Sequence, residues 1–458
     1  MLTASCTSAC RQERARLDEF LHASSRDRLF EVLHQQLLIV HQEAILCKAG
    51  TGCKSLLKAR ATDDLARMYR LYAAVPASLP FIARLFKELV ISVGEEMVAR
   101  LTAEGDNGKY IEELLAMHDR FYELTTTCFD DAGVFHFALK DAFEHIVNMF
   151  SMGGTTTAEL LASHCDKLLQ KGAGGTGGGE SALLDEAFEK VVKIFTYLTD
   201  KDMFSDFYRK QLAKRLLLAK SSSDEAERSM IGKLKLKCGA QFTSKFEGMI
   251  NDTNLAGDAA AAFQEWLRSE RAGLGLEVHV QVLTTGFWPT YKSEEVALPA
   301  EMTKCMNVFQ RFYDTRTAHR RLAWIHHLGV ATVAGNYAQP VDIVCSTYQA
   351  VILMLFNQTE ELTIEEVGTR ANLSKDEVKQ QLRPLVMGQY KLLVKEPAEG
   401  FSTAHRLRVN AQFASPKRLI KIPLAASKTS DEERSKTTVE VTEVCVSGES
   451  TMVLFWSQ

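Results

Sequence analysis

The chain has 458 residues, of which 46% are hydrophobic and 24% charged, values that exclude a wholly disordered protein, a collagen and a disulfide-dense miniprotein. Single hydrophobic cores stop growing at roughly 250–300 residues, so this length calls for about three domains or an elongated array. With 54 basic against 58 acidic residues the formal charge is -4, and no global field draws in nucleic acid or an anionic membrane.

The nine prolines fall well under the usual level of about 5%, which favours long helices over a loop-rich all-β fold. The start, MLTASCTSACRQE, reaches charge at Arg11 without an apolar stretch and does not read as a signal peptide. VILMLF (351–356) is among the longest apolar runs, far short of the roughly 18 residues that span a bilayer. A location in the cytoplasm or nucleus, with no membrane partner, is the expectation. None of the ten cysteines stands in a C-x-x-C pair, and Cys6/Cys10 and Cys47/Cys53 do not supply the two facing pairs of a zinc site. Neither a metal nor a cofactor is expected.

From residue 11 to 170 the pattern is helix after helix. Leu65, Met68, Tyr69 and Tyr72 recur at i, i+3, i+4 and i+7, one face of a helix. Phe135, Leu139, Phe143 and Ile146 form a second stripe, and LLASHCDKLL (160–169) a third. Rows of such helices bury one another's stripes and make a stalk. The six glycines of KGAGGTGGGE (171–180) stop a helix, each costing about 1 kcal/mol relative to alanine. Without G-K-S/T entering a helix, the stretch is a flexible insertion rather than a phosphate loop.

Helices resume at 181. YRKQLAKRLLLAK (208–220) puts Tyr208, Leu212, Leu216 and Ala219 on one face and spreads its five cations around the rest. Ser222 with Glu225 fits a capping box, and Gly239 is placed to end the helix that follows. LEVHVQVL (276–283) is the first clear strand: Leu276, Val278, Val280 and Val282 alternate with polar residues. RLAWIHHLGVATVAG (321–335) reads as a β-hairpin, with His326 and His327 on opposite faces and unable to chelate one ion together. IVCSTYQAVILMLF (343–356) reads as a buried helix. Capping boxes at Thr363/Glu366 and Ser374/Glu377 open two more helices, and strands at 390–395 and 401–410 follow. Helix, helix, helix, strand, loop, strand is a winged-helix arrangement.

No H-E-x-x-H, G-x-S-x-G, Walker or Rossmann motif occurs in the chain, so no catalytic residue is assigned. Duplex DNA is the competing partner, through Lys375, Lys379, Gln380 and Arg383 of the third helix. Residues 363–395 carry six cations against four acids, less basic than a typical binding face. Pro384 also interrupts the would-be reading helix.

Residues 207–258, beginning FYRKQLAKRLLLAKSSSDEAERS, closely resemble the cullin homology region, as do VHVQVLTTGFWP (278–289), ALPAEM (297–302) and the stretch from Tyr348–Gln349 through the winged helix. Upstream, DDLARMYRLY (63–72), DDAGVFHFALKDAFEHIVN (130–148) and LLASHCDKLL resemble the last cullin repeats, so the likeness runs from about 11 to 425 in the family's order. It is nearest the subgroup that works with Skp-type and F-box adaptors. The resemblance implies a mainly α protein with a smaller α+β C-terminal part. Its order would be a partial cullin repeat (1–55), a last repeat (56–170), the Gly-rich insertion (171–180), a four-helix bundle (181–275), an α/β region (276–342), a winged helix (343–410) and a divergent tail (411–458).

Cullins are non-catalytic scaffolds of ubiquitin ligase complexes. The implied partners are a RING-box protein and, through it, a ubiquitin-conjugating enzyme, brought close to substrate so that effective concentration rises. In the family the RING-box partner adds a β-strand to the α/β region, a mode that relies on main-chain hydrogen bonds. The residues implied here are Val278, Val280 and Val282, with Trp288 and Trp324 as packing anchors. Arg209, Lys210, Lys214 and Arg215 are implied as the attraction for an acidic conjugating-enzyme tail. The family's adaptor-binding N-terminal repeat has no counterpart before Met1, which leaves a Skp-type adaptor open. At the other end TTVEVTEVCVSGESTMVLFWSQ stands where the family carries a second winged helix, and no lysine follows Lys436. The chain thus reads as truncated at both ends, with no recognisable site for a Nedd-type modifier.

Overall fold

The structure is a computed structural model that describes residues 12, 16, 22–105, 108–149, 151–152, 154–170, 180–218, 220–270, 274, 276–291, 295–317, 320–337, 339–397, 400–423 and 449–457. The Gly-rich residues 171–179 lie outside the described residues. Two compact units divide the chain, Met1–Thr243 and Ser244–Gln458.

The first unit is helical. α1 (Ala23–His34) runs into a π-helical stretch (Gln35–Ile39), followed by α2 (Gln42–Leu46), α3 (Cys53–Ala59), α4 (Thr62–Ala73), α5 (Leu79–Glu104), α6 (Tyr110–Cys128) and α7 (Gly133–Met149). A two-residue ladder, β1 (Ser151–Met152) with β2 (Thr155–Thr156), turns the chain into α8 (Thr157–Leu169). Then come α9 (Glu180–Thr196), α10 (Lys201–Leu217), α11 (Asp224–Cys238) and the start of α12 (Ala240–Ser269).

The apolar stripes read from the sequence face inward. Leu65, Met68 and Tyr72 are buried on α4, and Phe135, Leu139, Phe143 and Ile146 are at most 2% exposed on α7. Phe86 meets Phe121, Phe129 and Phe135 edge-on with centroids 5.8–6.0 Å apart, a geometry aromatic quadrupoles favour. The cap of α11 falls one residue later than expected. Ser223, not Ser222, accepts the Ala226 N–H at 3.0 Å. Gly239 ends that helix with φ +85°, a backbone region open to glycine.

A buried ionic knot joins α8, α10 and α11. Arg215, 1% exposed, donates from Nε and Nη2 to both carboxylate oxygens of Glu227 at 2.7 and 3.0 Å, and from Nη1 to Asp166. Ser221 donates its hydroxyl to the same Glu227 at 2.6 Å. Burial works against the guanidinium charge, but the hydrogen bonds it donates to Glu227 and Asp166 and the charge of Glu227 prevail and hold its pKa above the ordinary arginine value. On α6, His118 is 2% exposed with Nε2 3.1 Å from the Tyr197 hydroxyl. Desolvation, with Lys193 nearby, pushes its pKa down to about 4.

The second unit centres on a five-stranded mixed sheet in the order β3-β10-β4-β5-β9: β3 (Glu277–Thr284), β4 (Arg321–Gly335), β5 (Val341–Ser346), β9 (Leu419–Lys421) and β10 (Glu449–Ser457). α13 (Ala300–Arg316) packs Phe309, Phe312 and Tyr313 into its core beside Val278, Val280 and Phe263. The hairpin expected over 321–335 is instead one strand. Gly329 does not take the positive φ that a tight hairpin turn needs, and the antiparallel partner is β5, paired from Val330 to Gly335. The helix expected over 343–356 also starts later. Residues 343–346 finish β5, and Ser346 with Gln349 forms a reciprocal capping box that opens α14 (Thr347–Leu355).

After α14 come β6 (Glu361–Thr363), α15 (Ile364–Ala371), α16 (Lys375–Met387), β7 (Leu393–Glu396) and β8 (Arg406–Val409), with β6-β8-β7 as their sheet. This is a winged helix with one short strand, β6, that the sequence pattern did not reveal. Thr363 and Glu366 cap α15 reciprocally at 2.8 and 3.2 Å. Ser374 caps α16, while the Glu377 carboxylate accepts from Gln381 at 2.8 Å. The stretch read as a divergent tail supplies two strands, β9 and β10, to the main sheet.

Two predictions follow from the first unit. Glu227→Ala leaves Arg215 without its bidentate partner and should cost about 3–5 kcal/mol in urea unfolding, whereas Arg215→Met with Glu227→Leu should recover most of the loss. His118 stays neutral in the folded chain, so protons bind the unfolded state preferentially. Stability should fall as the pH drops from about 6.5 towards about 4, by about 3 kcal/mol in all, and then level off. His118→Gln should flatten that limb of the unfolding midpoint against pH.

A candidate strand-docking site

The site is built on α12, β3, β4 and β10. Asp252, on α12, accepts the Thr284 backbone N–H at 2.8 Å, the Thr284 hydroxyl at 3.1 Å and the Trp288 indole N–H at 2.8 Å. One turn earlier Gly248 lets Phe287 approach: a Cβ there would stand 2.4 Å from the Phe287 ring. The Phe287 N–H closes the turn on the Thr284 carbonyl at 2.9 Å. The end of β3 is therefore clamped to α12, and Trp288, 3% exposed, is part of the clamp.

Val278 and Val280 are buried on β3, but the alternation expected to include Val282 breaks. Val282 is half-buried and Leu283 turns inward at 1% exposure, beside the residue Asp252 holds. Trp324 on β4 is half-buried, packs on the same core and lies edge-on to Phe309 at 6.4 Å. β10 runs between β3 and β4, antiparallel to β3 and parallel to β4. Its register sets Met452, Leu454 and Trp456 opposite Val282, Val280 and Val278. Met452 is also opposite Trp324. Four of the five residues implied for strand docking thus line one backbone slot, and the fifth, Trp288, sits in the turn beyond it.

On β4 the ladder to β10 skips from Ile325 to Val330, so His326 and His327 fall in the irregular stretch. Burial lowers the pKa of both imidazoles, and His327 lies against the Tyr291 ring at 5.6 Å. Among the described residues no group of three His, Cys, Asp or Glu side chains could hold a metal ion.

The cation cluster sits on α10 and is split by burial. Lys210 and Lys214 are exposed, and Arg209 is half-buried and paired with Asp206 at 3.1 Å. Arg215 is committed to Glu227 and Asp166 in the interior and is not available as a surface cation. On α16, Lys375 is drawn to Glu365 at 3.7 Å. No helix among the described residues is long and apolar enough to cross a membrane.

Two residue sets escaped sequence reasoning. Asp252 stands inside the block FEGMINDTNLAGD with nothing local to mark it as the clamp. β10 carried a usable signal: Met452, Val453, Leu454, Phe455 and Trp456 form an apolar run between polar residues, the pattern of a strand buried on both faces.

The Cullin alpha solenoid domain model matches residues 2–260, and the Cullin alpha+beta domain model matches residues 282–413. Among known proteins the chain is 40% identical to Cullin-1 of Oryza sativa subsp. japonica over 434 residues, 90% of this chain and 57% of that protein. It is 38% identical to Cullin-2 of Arabidopsis thaliana over 429 residues, 90% and 58% of the two chains. With Cullin-4A of Mus musculus the identity is 31% over 432 residues, 94% of this chain and 55% of the other. A helical unit followed by a sheet and winged helix, matched in that order, defines a cullin-type architecture. The chain belongs to the cullin family, and it spans a little over half the length of these relatives.

The clamp makes a direct prediction. Asp252→Ala strips the acceptor from the Thr284 N–H and the Trp288 indole and should cost about 2–4 kcal/mol. Near-ultraviolet circular dichroism should show a loosened Trp288 environment.

Proposed function

We propose that the chain is a scaffold subunit of a cullin-RING ubiquitin ligase, acting in ubiquitin-dependent protein degradation in the cytoplasm or nucleus. On this reading its sheet binds a RING-box protein, and that protein brings a ubiquitin-conjugating enzyme to the substrate. The scaffold contributes position rather than bond-making groups. The gain is the effective concentration of a substrate lysine near the thioester. The observation that carries the reading is the succession of the two cullin domain matches along one chain. A sheet whose inner slot takes an extended strand between β3 and β4 supports it. Lys210 and Lys214 are the exposed cations that would steer an acidic conjugating-enzyme tail. A Skp-type adaptor is not part of the proposal.

The nucleic-acid reading of the winged helix is not favoured. Its reading helix contains Pro384, and Lys375 is engaged by Glu365. The test is co-expression with a RING-box protein at micromolar concentration, read by light scattering after size exclusion. A 1:1 complex is expected, together with faster ubiquitin discharge from a charged conjugating enzyme. Lys210→Glu with Lys214→Glu should slow that discharge several-fold at low salt and little at 0.5 M salt, where the Debye length is only about 4 Å. A folded chain that forms no such complex would sink the proposal.

A further inference from the structure

The strand that completes the sheet is the last one in the chain, and it does not lie at an edge. β10 sits between β3 and β4, with eight residue pairs to β3 and eight to β4. β3 therefore joins the sheet only through β10, a segment distant from it in the chain. On its far side β3 is held independently of β10, by Asp252 at Thr284 and Trp288 and by Val278 and Val280 in the core. β4 is likewise held by β5 from Val330 to Gly335. β3 thus has supports of its own and β4 has them from Val330 onward, and β10 adds main-chain pairing to both walls of the slot. Main-chain pairing is the least sequence-selective way to fill a slot, and any extended strand of suitable chemistry can supply it. The ladder to β4 is already interrupted over residues 326–329, which leaves β10 less firmly tied on that side.

We infer that residues 449–457 are a built-in occupant of a strand-acceptor slot between β3 and β4, and that an incoming partner strand enters by displacing them. This rests on the proposed RING-box role for the identity of the partner, but not for the existence of the slot. The occupant is an extended, mostly apolar strand of the kind β10 itself represents. Because the tail is on the same chain, it competes at an effective concentration of about millimolar. If the untethered tail segment binds the slot with a Kd of about 10 µM, that competition weakens the apparent binding of any free strand by about 100-fold. The tail would thus act as an internal brake on partner strand addition.

The test uses a labelled peptide of residues 448–458 and two forms of the chain. A variant lacking residues 446–458 should bind the peptide, and the full chain should bind it about 100-fold more weakly. A folded tail-less variant that ignores the peptide, or equal binding by both forms, overturns the inference. In case the deletion does not fold, a disulfide lock supplies the same contrast within one full-length protein. Of two successive antiparallel pairs, one is the close, non-hydrogen-bonded kind with Cα atoms about 4.5 Å apart, within disulfide reach. The lock is therefore made in two versions, Val280→Cys with Leu454→Cys and His279→Cys with Phe455→Cys. The oxidised lock should bind both the peptide and a RING-box protein at least 10-fold more weakly than the same protein reduced. Equal binding of the peptide by oxidised and reduced forms, or a RING-box protein that binds both forms equally well, overturns the inference. If the peptide contrasts hold while the RING-box protein binds neither form nor the tail-less variant, the slot stands and the proposed ligase role falls.

Discussion

Two strands in the second unit, β3 and β4, face each other across the width of one strand. Every N–H and C=O they turn toward that gap needs a partner, because an unpaired buried backbone group costs as much as a lost hydrogen bond. β10 meets that demand on both sides at once. The rest of the unit is arranged around the same constraint. Asp252 fixes one wall to α12, β5 and β9 extend the other, and α13 covers the face with Phe309, Phe312 and Tyr313. Any account of what the sheet binds has to begin with how this gap is filled.

The first unit meets its backbone demand differently. Its helices satisfy their own hydrogen bonds locally, so side chains alone decide how they pack. That freedom explains why an ionic knot can be tolerated in its interior. Arg215, Glu227 and Asp166 come from three helices, so the knot ties α10 to both α8 and α11. Such a knot adds little net stability over a well-packed apolar equivalent. In this unit it fixes which faces of α8, α10 and α11 meet.

This difference governs what could be read from the sequence. Features set by near neighbours were legible: the stripe of Phe135, Leu139, Phe143 and Ile146, the Thr363/Glu366 cap, the Gly239 stop and the strand around Val278 and Val280. Features set by distant chain were not. Nothing near residues 321–335 says that they pair with 341–346 on one side and 449–457 on the other, so one long strand looked like a hairpin. Arg215 was grouped with surface cations because its partners lie 12 and 49 residues away. The docking residues on β3 and β4 were named through family likeness, and their common slot became visible only with the register of β10.

Strand addition also limits where specificity can reside. Main-chain bonds are nearly the same for any extended segment, so they reward a foreign strand and the chain's own tail alike. Discrimination must come from the side chains set against Val278, Val280, Val282 and Trp324, and from which strand is tethered. The tether favours the tail by concentration alone, without a single better contact. A foreign strand can prevail only if it adds contacts beyond the slot, by bringing a folded domain with it. If the slot admits partner strands as proposed, a bare strand would be a poor competitor and a strand attached to a second docking surface a good one. On the proposed scaffold role, a slot with almost no selectivity of its own would gain it by favouring partners that engage two surfaces.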